Sequence, residues 1–161
     1  LGETFDIVYT GIGALCWLPN IRDWAKVVSV FLKPGGKFYI REGHPMLSSL
    51  DDERQDNLLS VRYPYFESKE PQRFDDEYSY AGEEKLRKTV NYEWSHGIGE
   101  TTTALIESGL RIDYIREYKF LDWQALPCMV KGSDGFYRLP PDQQELVPLL
   151  FSIGATKETA Q

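Results

Sequence analysis

Two cysteines, two histidines and two methionines are all that this 161-residue sequence contains. Cys16 and Cys128 stand far apart, with no Cys-x-x-Cys or Cys/His spacing. That pattern argues against a disulfide framework and against a metal site, and reads as two free thiols. Positive charge is also short: 18 basic residues face 25 acidic ones, for a net charge of −7. Bulk charge therefore gives no hold on nucleic acid or on an anionic membrane surface. No apolar run reaches membrane-spanning length, and no charged-then-apolar leader opens the sequence. A cytoplasmic protein with no nucleic-acid and no membrane partner is the expectation. Gly-x-Ser-x-Gly is missing, and no serine or cysteine has a His/Asp arrangement, which argues against a hydrolase. Internal repeats and low-complexity tracts are absent as well. What the sequence does have is apolar and aromatic residues, 42% and 14%. These suffice for the core of one domain or part of one.

The organising stretch runs from Phe5 to His44. Phe5–Tyr9 is a short apolar run that suits a buried parallel strand. Thr10-Gly11-Ile12-Gly13 breaks it. Asn20 stands at an N-cap, and Asp23 faces the positive end of the helix that follows. Ile21, Trp24, Ala25, Val28, Phe31 and Leu32 recur at helical spacing on one face. Lys33 is expected in the last turn, and Pro34-Gly35-Gly36 stops the helix. Lys37–Arg41 is a second strand, expected to be parallel to the first through a right-handed crossover.

These residues resemble the second half of a class I S-adenosylmethionine-dependent methyltransferase. FDIVY matches the family's fourth strand, WLPNIRDW the start of the next helix, and LKPGGKFYI the turn into the fifth strand. Further on, HGIGETTTALIESGLRIDYIREY from His96 resembles the next helix and sixth strand. VPLLFSIGATK from Val147 resembles the closing seventh. The resemblance covers about half of the sequence, in the family's order. It implies an α/β fold: the C-terminal half of a Rossmann-like methyltransferase sheet in the parent order 4-5-7-6, last strand antiparallel, with an inserted lid. The family's glycine-rich cofactor loop would precede Phe5, where only Leu1-Gly2-Glu3-Thr4 stand. Gly11-Ile12-Gly13 follows the wrong strand to be that loop. The expectation is a truncated part of a methyltransferase, inactive by itself. Its first strand would then be an apolar edge that pairs with a second copy, a homodimer through Phe5–Tyr9.

Three regions make up this single partial domain. Residues 1–44 are the strand-helix-strand core. Residues 45–95 break the α/β rhythm and carry Tyr63, Tyr65, Phe66, Phe74, Tyr78, Tyr80, Tyr92 and Trp94. By analogy this is a lid over the acceptor; the alternative is a solvated flap whose aromatics pack on the sheet. Met46–Leu50 reads as a short helix. Ser60–Phe66 and Leu86–Trp94 alternate like a pair of antiparallel strands around a loop at Glu67–Glu84. Residues 96–161 hold a helix with Ile98, Thr102, Leu105 and Ile106 inward and Gly109 at its C-terminal end. A strand at Arg111–Phe120, an irregular hairpin connection from Asp122 to Arg138, a turn at Pro140-Pro141-Asp142 and a final strand at Leu149–Thr156 complete it.

Ligands in open α/β sheets bind beyond the carboxyl ends of the strands. That puts Thr10–Trp17 and Arg41–His44 on one rim. The resemblance implies S-adenosyl-L-methionine there as cofactor, held by Tyr9, Thr10, Gly11, Ile12 and Trp17. Trp17 either stacks on adenine or packs in the core. The reaction implied is methyl transfer to a small-molecule acceptor. His44 and Glu42 follow the second strand; His44 is a base near neutral pH or merely bonds a loop carbonyl. Glu42 is a candidate for orienting the substrate. His96 reaches the cleft from the lid side or only caps its helix. The competing reading is a non-catalytic structural or dimerisation module. A nicotinamide oxidoreductase would need a dinucleotide loop that is not here.

Overall fold

A computed structural model describes residues 2–75 and 89–159. Its centre is a four-stranded sheet in the order β1-β2-β8-β5. Strand β1 (Phe5–Thr10) runs parallel to β2 (Leu32–Gly43). Between them lie a single 3-10 turn at Leu15–Trp17 and helix α1 (Ile21–Phe31). Strand β8 (Leu150–Lys157) is antiparallel to both of its neighbours, β2 and β5 (Leu110–Tyr118). This is the expected 4-5-7-6 arrangement with its reversed last strand.

Local chemistry explains the α1 boundaries. Asn20 Oδ1 accepts from the Arg22 and Asp23 N–H groups, which have no partner inside the helix. The helix ends at Phe31, so Lys33 lies beyond its last turn rather than within it. The lysine ammonium instead holds Asp6 on β1, at 2.9 Å. β2 also begins earlier than expected, at Leu32 and not Lys37, because Leu32 already pairs with Phe5; Pro34-Gly35-Gly36 forms the irregularity before regular pairing resumes at Lys37 opposite Ile7.

Helices α1 and α3 (Ile98–Glu107) lie side by side on one sheet face. They bury Ile21, Ala25, Val28, Ala104 and Leu105 against Phe38, Ile40, Phe151, Ile153 and Ala155. Each large side chain covered this fully contributes about 1.5–3 kcal/mol. The inward face of α3 differs from the expected one. Thr101 and Ala104 are buried with Leu105, while Ile106 is exposed. Gly109 follows the helix with φ +83°, as a left-handed stop. The opposite sheet face carries tyrosines. Tyr9 stacks on Tyr39, and the Tyr114 ring lies across Gly154, where a Cβ would meet it at 2.4 Å. A second core joins Leu47, Leu50, Leu121, Leu126, Leu139 and Leu149 below the carboxyl end of β2.

The middle region departs most from expectation. After the short helix α2 (Pro45–Ser48), residues 60–66 form no strand beyond a bridge from Val61 to Leu50. Strand β3 (Gln72–Asp75) arises inside the expected loop and pairs with β4 (Val90–Glu93). Tyr78, Tyr80 and the Leu86–Lys88 start of the expected second strand lie outside the described residues. Beyond β5, the short strands β6 (Val130–Lys131) and β7 (Tyr137–Arg138) make the hairpin between residues 122 and 138, followed by a turn at 141–146. No helix among the described residues is long and apolar enough to cross a membrane.

β1 occupies the sheet edge. It is not a buried strand: Ile7 and Tyr9 are 68% and 61% exposed, while Val8 packs on the core and the Phe5 ring meets Phe31 of α1.

Candidate functional site

The carboxyl ends of β1 and β2 open onto a cavity of about 480 Å³. Its floor is the loop between β1 and α1, and Glu42 shapes that loop. The Glu42 side chain sits at the end of β2, 8% exposed. Its Oε1 accepts from the N–H groups of Gly13 (2.6 Å) and Gly43 (2.8 Å). Its Oε2 accepts from Ala14 (2.9 Å) and Leu15 (3.3 Å). One carboxylate thus gathers four backbone donors, three from the loop. Gly13 can offer its N–H because it adopts φ +78°, a conformation a side chain disfavours. Glu42 lines the cavity, but both oxygens are occupied in holding the loop.

The walls come from three separate segments. The first is the α2 region, with Gly43, Pro45, Leu47, Leu50 and Asp52. The second is the β3–β4 hairpin with what flanks it: Gln72, Phe74, Glu93, Trp94 and His96. The third, Trp123–Leu126, follows β5, and nothing periodic in its sequence pointed to it. It is tied to β2 by an Arg41–Asp122 ion pair at 2.7 Å. The aromatic residues of the middle region thus divide: Phe74, Trp94 and Tyr63 line the cavity, whereas Phe66 and Tyr92 are exposed.

The expected site residues separate in the same way. Ile12, Glu42 and His96 line the cavity. His44 does not. It is buried, its Nδ1 accepts from the Met46 N–H at 3.0 Å, and its Nε2 donates to Glu117 at 2.9 Å. That pattern fixes a neutral tautomer capping α2. Burial pushes the imidazole below its ordinary value of 6.5, against the pull of Glu117. Tyr9, Thr10, Gly11 and Trp17 stand beside the cavity's lining, not within it. Trp17 is 52% exposed, so it is not a core residue. His96 is 7% exposed; its Nε2 donates to the Leu18 carbonyl at 2.7 Å, joining the lid to the segment before α1. Its helix is capped by other means, with Glu100 accepting from the Gly97 N–H at 2.9 Å.

Cys16, also in the lining, has its thiol pushed up to about 12, first by burial and then by the charges of Glu93 and Glu42. Asp52, Glu93, Gln72 and Trp123 escaped the sequence reading. Asp52 belongs to the acidic run 51–53, and a charge run is ordinarily a solvated face; Asp52 stays exposed and meets the cavity at its rim, where the Tyr63 hydroxyl donates to it.

Sheet order, helix placement and a cavity beyond the strand ends define a Rossmann-like methyltransferase architecture. Solved structures bear this out. A methyltransferase described as S-adenosylmethionine-dependent, from Listeria monocytogenes, superposes with a TM-score of 0.62 at 16% identity, covering 99% of this chain and 64% of its own. One from Mesorhizobium loti gives 0.58 at 17%, covering 97% and 63%. The glycopeptide N-methyltransferase MtfA, complexed with S-adenosyl-L-methionine, gives 0.51 at 15%, covering 99% and 56%. The chain has the class I S-adenosylmethionine-dependent methyltransferase fold, and spans less than two thirds of the length of these structures. No family model and no curated protein matches the sequence.

Proposed function

We propose that this chain is part of a cytoplasmic S-adenosyl-L-methionine-dependent methyltransferase acting on a small molecule. The observation that carries the reading is the cavity at the carboxyl ends of β1 and β2, over a loop pinned by Glu42, in a sheet of methyltransferase order. The residues present fit one side of the cofactor. Tyr9 to Ile12 offer backbone groups at the strand end, the exposed Trp17 ring flanks them, and the described lining of the cavity holds no lysine or arginine to repel a sulfonium. When bound, the cofactor supplies a methyl carbon that the acceptor's lone pair takes, while the broken C–S pair stays on sulfur.

The protein's part is positioning and exclusion of water. Glu42 acts as the brace of the cofactor-side loop, not as a base. His44 is a structural cap. Of the expected catalytic residues, Glu42 and His96 line the cavity; Glu42 has both oxygens engaged, and His96 Nδ1 is the nitrogen left to meet an acceptor proton. Residues 45–95, joined by Trp123–Leu126, serve as the acceptor lid. The exposed β1 edge supports a homodimer paired strand to strand. This is also the feature that favours the competing reading, a dimerisation module without catalysis.

Calorimetric titration of S-adenosylhomocysteine decides between them. It is run on this chain and on the longest native form containing it. Binding to either form supports the methyltransferase reading. Binding to neither overturns it and leaves the structural module.

A further inference from the structure

Three consecutive residues join the two sides of the cavity. Trp94, immediately after β4, donates its backbone N–H to the Cys16 carbonyl at 2.8 Å. His96 Nε2 donates to the Leu18 carbonyl at 2.7 Å. Ser95, between them, holds the lid instead. Its hydroxyl donates to the Pro64 carbonyl at 2.7 Å and accepts from the Gln72 side-chain amide at 3.0 Å. Cys16, Gln72, Trp94, Ser95 and His96 all line the cavity.

The loop reached by Trp94 and His96 is the one that Glu42 braces. Glu42 takes the N–H groups of Gly13, Ala14 and Leu15, and the lid takes the carbonyls of Cys16 and Leu18. The loop is therefore bonded to β2 on one side and to the lid on the other. At the far end of the segment, Glu100 in α3 accepts from the backbone N–H groups of Gly97 at 2.9 Å and Glu67 at 3.2 Å. That pins the segment to the helix layer and gives it a fixed end. Lifting the lid away from the loop breaks the bonds to Cys16 and Leu18, and each broken bond has a cost.

We propose that Trp94–His96 is a strap through which the lid and the cofactor-side loop close as one unit, with His96 as its positioning residue. A ligand that orders the loop then orders the lid, and a ligand on the lid orders the loop, because coupling between two sites is reciprocal. Without the strap, loop and lid would sample their open states independently, and each ligand would order only its own side. Naming those ligands cofactor and acceptor rests on the methyltransferase reading above; the strap itself rests on the hydrogen bonds alone.

Amide hydrogen exchange on the longest native form containing this chain tests the strap, first without ligand. His96→Leu has similar bulk and lacks the Nε2–H. In it, exchange quickens roughly five- to tenfold at Gly13, Ala14 and Leu15 as well as at Trp94, while the β6–β7 hairpin keeps its parent rates. His96→Gln, whose amide N–H reaches about as far as Nε2–H, restores the parent rates at the loop. S-adenosylhomocysteine is then added. In the parent protein it slows exchange at Gly13, Ala14 and Leu15 and also in β3; in Ser95→Ala, which cuts the lid side only, it slows the loop and leaves β3 unchanged. Melting curves of each variant confirm that it folds. Loop amides that exchange at the parent rate in His96→Leu overturn the proposal, as does β3 protection as large in Ser95→Ala as in the parent. S-adenosylhomocysteine that slows no amide removes the cofactor reading, and the ligand-free comparison still decides the strap.

Discussion

Replacing Glu42 by glutamine is the most informative single change. The amide has nearly the shape of the carboxylate but only one acceptor oxygen. Whichever way it lies, its –NH2 faces two backbone N–H donors. The less costly orientation keeps Gly13 and Gly43, the shorter bonds at 2.6 and 2.8 Å, and gives up Ala14 and Leu15 at 2.9 and 3.3 Å. A bond to a charged acceptor is worth about 1.5–3 kcal/mol net, and an unmatched buried donor costs a similar amount. Leu15 is buried, so water cannot replace its lost partner. Ala14 is half-buried and can be partly rehydrated. The loss comes to about 2–4 kcal/mol, a large share of the roughly 5–15 kcal/mol that holds a domain folded. At about 2–4 °C per kcal/mol for a chain of this size, the melting temperature falls by roughly 5–15 °C. Amide exchange gives the local readout: Gly13, Ala14 and Leu15 lose protection first. Glu42→Asp keeps the charge but withdraws it by a methylene, and is expected to lose at least as much. A Glu42→Gln protein that melts within about 1 °C of the parent, with those three amides still protected, would refute the bracing role.

Three other outcomes follow from the geometry. Because folded His44 takes up its proton at lower pH than the unfolded chain does, stability is lost as pH falls below about 6.5; His44→Asn flattens that loss in urea midpoints between pH 7.5 and 5.5, and parallel curves would sink the argument. With its thiol near 12 instead of 9.0, Cys16 holds roughly a thousandfold less thiolate at pH 8; mass spectrometry after iodoacetamide treatment finds it almost unlabelled, and Glu93→Gln speeds the labelling. Ile7→Lys on the exposed β1 edge shifts the chain toward monomer in sedimentation, and unchanged association would place the contact elsewhere.

The sheet was legible in the sequence because its signals are local and redundant. Asn20 and Gly109 each mark an element end by backbone chemistry, and the strand order follows from the family's sequence. The lid was not legible. Strand β3 carries Gln72, Arg73 and Asp75 around Phe74, so it lacks apolar alternation, and only its pairing with β4 makes it a strand. Glu42 and His96 were named, yet their roles depend on what each oxygen or nitrogen meets across 29 and 78 residues. His44 looked like a base from its place after β2. Its neighbours Met46 and Glu117 engage both nitrogens, and no spacing rule foretells that.

The position of β8 governs how the chain can be made. Lys37 and Thr156 face each other across 119 residues, and β8 supplies the backbone pairing that joins β2 to β5. On the ribosome, β1, α1 and β2 emerge well before β8 and pair early. One whole side of β2 then stays bare until β8 has been translated. Long-range closure of this kind is slow and leaves sticky backbone exposed meanwhile. The nascent chain is therefore a natural client for holding chaperones, and a stop codon just before Leu150 would leave β2 with a raw edge and β5 without its sheet partner.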